Sequence, residues 1–244
     1  MAVVGATSGI AKESARLWAQ RGVDRLVLVG RDAGALESIA ADLRVRGAGA
    51  LVEVERADLT DVESIEPVVN AIFSRGPIDA VLIAHGWMGS QDEGQTDLVH
   101  AARVLEVTAV SPVLWAEAFA QHFGRAGSGR IAIIGSVAGD RGRRTNYIYG
   151  SAKALVAAYA EGMAHRFAGT GVSVTIVKPG PTDTAMTSDL KAKGARLAPV
   201  RAVAAQLVAG VESRKPVVYA PGLWRIIMLV IRGLPRPIFN RLSI

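Results

Sequence analysis

Three residues have types and spacing that could do chemistry together: Ser136, Tyr149 and Lys153. Tyr149 and Lys153 stand four apart, in a segment where Leu155, Tyr159, Met163 and Phe167 recur every four residues, as one face of a helix requires. Side chains four apart leave a helix on one face, one turn apart. An ammonium beside a phenol favours the phenolate, because opposite charge stabilises the ionised form. The pair therefore predicts a tyrosine tuned below its ordinary pKa of about 10, able to pass a proton to a carbonyl oxygen near neutral pH. Ser136 follows the apolar run Ile131 to Gly135 and could hydrogen-bond the same oxygen. Tyr-x-x-x-Lys alone recurs by chance, so its weight depends on the elements around it.

Those elements are those of one α/β domain. The chain has 244 residues, 50% of them hydrophobic and 5% aromatic, so its core is mostly Ala, Val, Leu and Ile. It has no cysteine, which excludes disulfides, thiol nucleophiles and thiolate metal sites. Its four histidines have no metal-ligand spacing, and no metal is expected. The net charge of +6 is spread out, apart from Arg141, Arg143, Arg144 and the C-terminal tail. No basic run interleaves with aromatics, so no nucleic-acid partner is expected. No signal peptide is visible, and a cytoplasmic location is expected. The first apolar run is short for a buried strand; either the strand is clipped or a few residues precede it.

In chain order, Met1 to Val4 is a strand, followed by Gly5-Ala-Thr7-Ser8-Gly9-Ile10-Ala11 and a helix carrying Ala15, Leu17 and Trp18. A glycine turn feeding a helix N-terminus offers unpaired N–H groups to a phosphate. Leu26 to Val29 is the second strand and ends in Gly30-Arg31-Asp32, where an adenosine ribose is normally met. Arg31 leans toward a 2′-phosphate, hence NADP(H), with NAD(H) as the alternative. Leu51 to Val54 is a third strand; Asp58 after it is a helix N-cap, an adenine contact, or both. Ala80 to Ala84 is a fourth strand, ending in His85-Gly86. Val99 to Phe123 is a long helix with a kink expected at Pro112. The strand before Ser136 is the fifth, Val172 to Val177 the sixth and Val217 to Ala220 the seventh, with helices at Ile65–Phe73, Tyr149–Phe167 and Val200–Val211. Such alternation predicts a parallel, doubly wound sheet of about seven strands. The tail from Leu223 is apolar and basic by turns and too short to span a bilayer, which needs about 20 apolar residues. It fits a membrane surface, a neighbouring subunit or its own domain.

Gly5-Ala-Thr-Ser-Gly9-Ile10, the serine after the fifth strand, Tyr149-x-x-x-Lys153 and Pro179-Gly180, in this order, resemble the short-chain dehydrogenase/reductase family over nearly the whole chain. The resemblance implies a Rossmann-type domain over 1–222, with 223–244 an amphipathic extension. It implies hydride transfer with NAD(P)(H). Tyr149 is then the general acid/base, Lys153 lowers its pKa and holds the nicotinamide ribose, and Ser136 positions the substrate oxygen. It places Gly5, Thr7, Ser8, Gly9 and Ile10 at the pyrophosphate and Asp58 and Leu59 at the adenine. Ala84, His85 and Gly86 fall beside the adenosine half, and Pro179, Gly180, Thr182 and Thr184 around the nicotinamide. Two departures stand out. The fourth strand ends Ile-Ala-His-Gly rather than Asn-Asn-Ala-Gly, and Glu106 stands where an active-site asparagine is usual, making it a candidate holder of a relay water.

A narrower likeness joins Gly139 to Lys153, Val177 to Met186 and Leu234 to Leu242. These segments look like those of decaprenylphosphoryl 2-keto-ribose reductases, and imply a keto-sugar on a polyprenyl phosphate and a peripheral place at the inner membrane face. The competing expectations are a dehydrogenase of small apolar ketones and alcohols, and a cofactor-binding regulator that has lost catalysis. Homodimers or homotetramers are expected through the two long helices, with Trp115, Phe119, Tyr159 and Met163 as the surplus apolar residues.

Overall fold

The computed structural model describes residues 1–47 and 49–242; Ser243 and Ile244 of the expected extension lie outside them. Seven strands form one parallel sheet in the order β3-β2-β1-β4-β5-β6-β7. They are β1 Ala2–Val4, β2 Arg25–Gly30, β3 Leu51–Arg56, β4 Ala80–Ile83, β5 Ser128–Ile134, β6 Gly171–Pro179 and β7 Val217–Ala220. The helices are α1 Gly9–Gln20, α2 Ala33–Arg46, α3 Val62–Ser74, α4 Gln91–Thr96, α5 Leu98–Leu105, α6 Ser111–Ala126, α7 Tyr147–Arg166, α8 Ser188–Ala192, α9 Val200–Glu212, α10 Trp224–Gly233 and α11 Arg236–Phe239.

The strands are continuous runs of Val, Ile, Leu and Ala because helices cover both faces of the sheet. Alternate residues go to opposite layers. Val4, Val29, Ile83 and Ile133 pack with α3, α6 and α7, while Val3, Leu28, Leu82 and Ala132 pack with α1, α2 and α9. Strand order reverses between β1 and β4, so the chain leaves these two neighbours in opposite directions and a crevice opens at their carboxyl ends.

Leu98 to Ala126 is one helical run, long and apolar enough by composition to cross a bilayer. It is instead a core helix, with Trp115, Phe119 and Phe123 buried against the sheet. The kink expected at Pro112 is replaced by a π turn at Glu106–Val110, in which the Ser111 N–H reaches back to the Glu106 carbonyl. Pro112 then falls in the first turn of α6, where no N–H is required of it. The buried stripe of α7 also differs from the expected one. It is Ala152, Val156, Ala160 and Met163, and Leu155 is exposed.

The tail folds back on the domain. Met228 of α10 is fully buried, and the Trp224 indole lies over Gly180, where a Cβ would fall 1.9 Å from Nε1. Arg141 Nη1 donates to the carbonyls of Ile231 and Leu234, and its guanidinium lies 3.7 Å from the Phe239 ring centroid. Leu223, Ile226, Leu229 and Val230 remain on the outer face, Ile226 at 63% and Leu229 at 72% exposure.

Candidate active site

The crevice is a cavity of about 510 Å³, a size suited to a cofactor and a small substrate. Gly5 opens it. Its φ is +77°, and a Cβ there would stand 2.6 Å from the His85 nitrogen, so only glycine lets the β1–α1 turn pass this close to β4. α1 begins at Gly9, and the Ser8 side chain makes no capping bond. The first-turn N–H groups are thus left without a side-chain acceptor, as a phosphate site requires.

At the far wall, Asp32 accepts from the Ala35 N–H at 2.9 Å and caps α2. Arg31 beside it lines the cavity and, among the described residues, makes no ion pair. Asp58 is not the N-cap of α3; that role falls to Asp61, which accepts from Glu63 N–H. Asp58 instead accepts from the Thr60 N–H and hydroxyl at 3.0 and 2.9 Å, bonds that hold its carboxyl below the usual range.

His85 joins this wall to the core. Its Nε2 lies 2.7 Å from the Ser111 hydroxyl, which donates to the Leu59 carbonyl, as does Trp115 Nε1 at 3.0 Å. Nε2 therefore carries the proton, and Nδ1 is left buried without a partner. Burial first, then the charges of Lys153 and Arg31, pushes the imidazole pKa down to about 3, so it is neutral.

At the other end, Ser136 lies two residues past β5, and the first turn of α7 carries Tyr149. The Ser136 hydroxyl accepts from the Ala138 N–H at 3.0 Å and lies beside Tyr149 in the cavity lining. Lys153 is 3% exposed, donates to the Ile134 carbonyl at 2.8 Å and sits 5.8 Å from the Tyr149 ring centroid. Burial pushes the Tyr149 pKa up to about 12, against a smaller lowering by Ser136. Burial also pulls Lys153 down to about 8. The expected lowering of Tyr149 by Lys153 is thus reversed: desolvation of the phenolate outweighs the distant ammonium. A half-buried, neutral phenol beside a serine hydroxyl can act as a proton donor.

The short chain dehydrogenase family model matches residues 1–195. The chain belongs to this family. It is an NAD(P)-dependent oxidoreductase with the family's Rossmann fold. An uncharacterized oxidoreductase of Streptomyces coelicolor is 35% identical over 246 residues, covering 99% of this chain and 95% of that protein. The cis-4-hydroxycyclohexanecarboxylate dehydrogenase of Sinomonas cyclohexanicum is 34% identical over 193 residues, covering 78% of this chain and 76% of that one. A short-chain dehydrogenase from Sphingobium yanoikuyae, solved in complex with NADPH, superposes with a TM-score of 0.84 at 26% identity, covering 99% and 96% of the two chains.

In this short-chain dehydrogenase the cavity is lined by every residue singled out from the sequence except Glu106. Glu106 is a correction. Its side chain is half-exposed and lies 3.9 Å from Arg103, because the π turn swings it outward. Val107 lines the cavity instead, and buried Thr108 grips the Trp87 backbone, accepting from its N–H at 2.9 Å and donating to its carbonyl at 2.7 Å. Sequence reasoning missed Trp87, Met88, Asn146, Met186 and Leu190, which also line the cavity, and met Arg143 only as one of the arginine cluster before Tyr149. Their signal was only position: they follow strand ends or precede Tyr149.

Proposed function

We propose that this dehydrogenase acts as an NADPH-dependent reductase of a ketone. The observation that carries the reading is the half-buried, protonated Tyr149, lining one cavity with Ser136 and Lys153 and with a glycine cradle at its other end. When bound, a reduced nicotinamide supplies a hydride to the carbonyl carbon. Tyr149 then gives its proton to the carbonyl oxygen, Ser136 donates a hydrogen bond to that oxygen, and the product is a secondary alcohol. Lys153, whose pKa of about 8 lies near working pH, returns charge and proton to the phenol. At neutral pH the phenol holds its proton, which is the form in which reduction of a ketone begins. Consumption of NADPH with a panel of ketones tests this. Tyr149→Phe should fall below a tenth of wild-type turnover while binding cofactor as before; a variant that keeps more removes Tyr149 from the reaction.

NADPH over NADH is supported by Arg31, which has no ion-pair partner among the described residues, and by the engagement of Asp32 in capping α2. For the substrate, a keto-sugar on a polyprenyl phosphate is supported by the apolar outer face of α10, which carries Arg225 and Arg232 and precedes Arg236 and Arg241. Such a face suits a lipid surface beside the cavity. A small apolar ketone is the second reading, supported by Trp87, Met88, Val107, Met186 and Leu190 in the lining, and by a relative named for a hydroxycyclohexane acid. Self-association through α5, α6 and α7 is also proposed, on different residues from those expected. Trp115, Phe119 and Met163 are buried in the core, and the Tyr159 hydroxyl is bound to Glu117. The large apolar residues that face outward on these helices are Leu98, Val99, Leu105, Val110 in the π turn, Tyr147 and Leu155.

A further inference from the structure

Arg143 is a cation without a counter-ion on the catalytic side of the cavity. It stands six residues before Tyr149 and lines the cavity with it. Its Nη2 makes two long contacts, 3.4 Å to the Val137 carbonyl and 3.4 Å to the Met228 sulfur, while its buried Nε has no partner. The one acid that stabilises its charge, Asp140, is already committed: Lys178 Nζ donates to one oxygen at 2.5 Å and the Tyr219 hydroxyl to the other at 2.7 Å. Among the described residues no carboxylate pairs with Arg143. Three residues on, the Asn146 side-chain oxygen is also buried, unpartnered and part of the cavity lining.

A partly desolvated guanidinium is costly unless something pairs with it. The other cations of the lining are accounted for: Lys153 is held by the Ile134 carbonyl, and Arg31 lies at the distant β2 end of the crevice. Arg143 therefore faces whatever occupies the catalytic end. We propose that Arg143 binds an anionic group, a carboxylate or a phosphate, carried by the substrate whose ketone lies at Tyr149. Asn146 beside it accepts from a neighbouring hydroxyl of the same substrate. The inference rests on the reductase reading and narrows its substrate class to charged ketones. Arg143 is then a specificity-determining residue.

The probes are 4-oxocyclohexanecarboxylate and its methyl ester, which share ring and ketone and differ in charge. Dihydroxyacetone phosphate and dihydroxyacetone form the phosphate arm and separate the two anion classes. With NADPH, the wild type should favour the charged member of at least one pair by about tenfold or more in kcat/KM, the usual effect of one charge-assisted hydrogen bond. Arg143→Gln should lower that preference at least tenfold, and Arg143→Lys should keep part of it. Thermal melting of both variants checks that they fold. Binding is read apart from turnover in Tyr149→Phe protein saturated with NADPH, with and without Arg143→Gln. Equal kcat/KM within both pairs, or equal losses on charged and neutral members in Arg143→Gln, overturns the proposal. If no probe is reduced but charged probes still bind in an Arg143-dependent way, the anion site stands and the reductase reading falls. If neither turnover nor charge-dependent binding is seen, the anion site falls as well.

Discussion

The Lys153 ammonium is buried with a single hydrogen bond, to a neutral carbonyl, and its pKa falls from 10.5 to about 8. The folded pKa lies below the unfolded one, so between pH of about 8 and 10.5 the unfolded chain binds more protons and stability rises with pH. The cost is full below pH 8 and absent above 10.5; by the shift it is roughly 3 kcal/mol. Lys153→Met should therefore be more stable relative to wild type at pH 7 than at pH 10, by about 2–3 kcal/mol, while losing activity. Denaturant melts of the apoprotein at the two pH values check this, and a pH-independent difference between the two proteins would contradict it. Arg31 makes the complementary case at the cofactor end. Arg31→Ala should erase most of an NADPH preference of about tenfold or more, read by fluorescence titration with NADPH and NADH; equal affinities in the wild type would remove its role. Ser136, Tyr149 and Lys153 were legible because their chemistry needs fixed residue types at fixed spacing. Arg143 was legible only as one of three arginines in the loop before Tyr149, because which of them lacks a counter-ion shows only when the commitments of Asp140 are known.

Among the elements, periodicity marked all seven strands and the main helices, since apolar runs and 3.6-residue stripes are local signals. What depended on three-dimensional fit was hidden. The π turn at Glu106–Val110 has no composition of its own, yet it turns Glu106 to solvent and brings Val107 to the cavity. On α7 the sequence shows large residues at 155, 159, 163 and 167; Met163 and Phe167 are in the core, Leu155 is exposed, and Ala152, Val156 and Ala160 complete the buried stripe. The seating of α10 was likewise invisible, since it depends on Arg141 reaching across more than ninety residues to cap it. Arg141→Ala leaves the last carbonyls of α10 without that donor and frees Phe239. The local cost should be about 1–3 kcal/mol. Trypsin should cut after Arg225 and Arg232 faster in the variant, with the rest of the domain still melting as one unit; an unchanged cleavage rate would mean the seating rests on Met228 and Trp224 alone.

Over the whole molecule, one sheet positions both ends of the site, and the tail closes one side of it without being part of the sheet. Its inner face is spent on Met228 and Trp224, so removing the tail after Gly222 would uncover core as well as any outer contact. The lipid-surface proposal is better tested on the outer face. Ile226→Glu with Leu229→Glu should abolish salt-sensitive binding to anionic phosphatidylglycerol vesicles and leave cofactor binding intact. Wild-type protein that ignores such vesicles at low salt would end the idea. Trp224 gives the seated tail a further consequence. Its indole is fixed over Gly180 on the wall of the cavity, close enough to pass excitation energy to a reduced nicotinamide. The protein therefore carries its own optical gauge: NADPH quenching of the emission, smaller in Trp224→Phe by the part that Trp87 in the lining does not supply, reports in real time whether tail and cofactor are in place together.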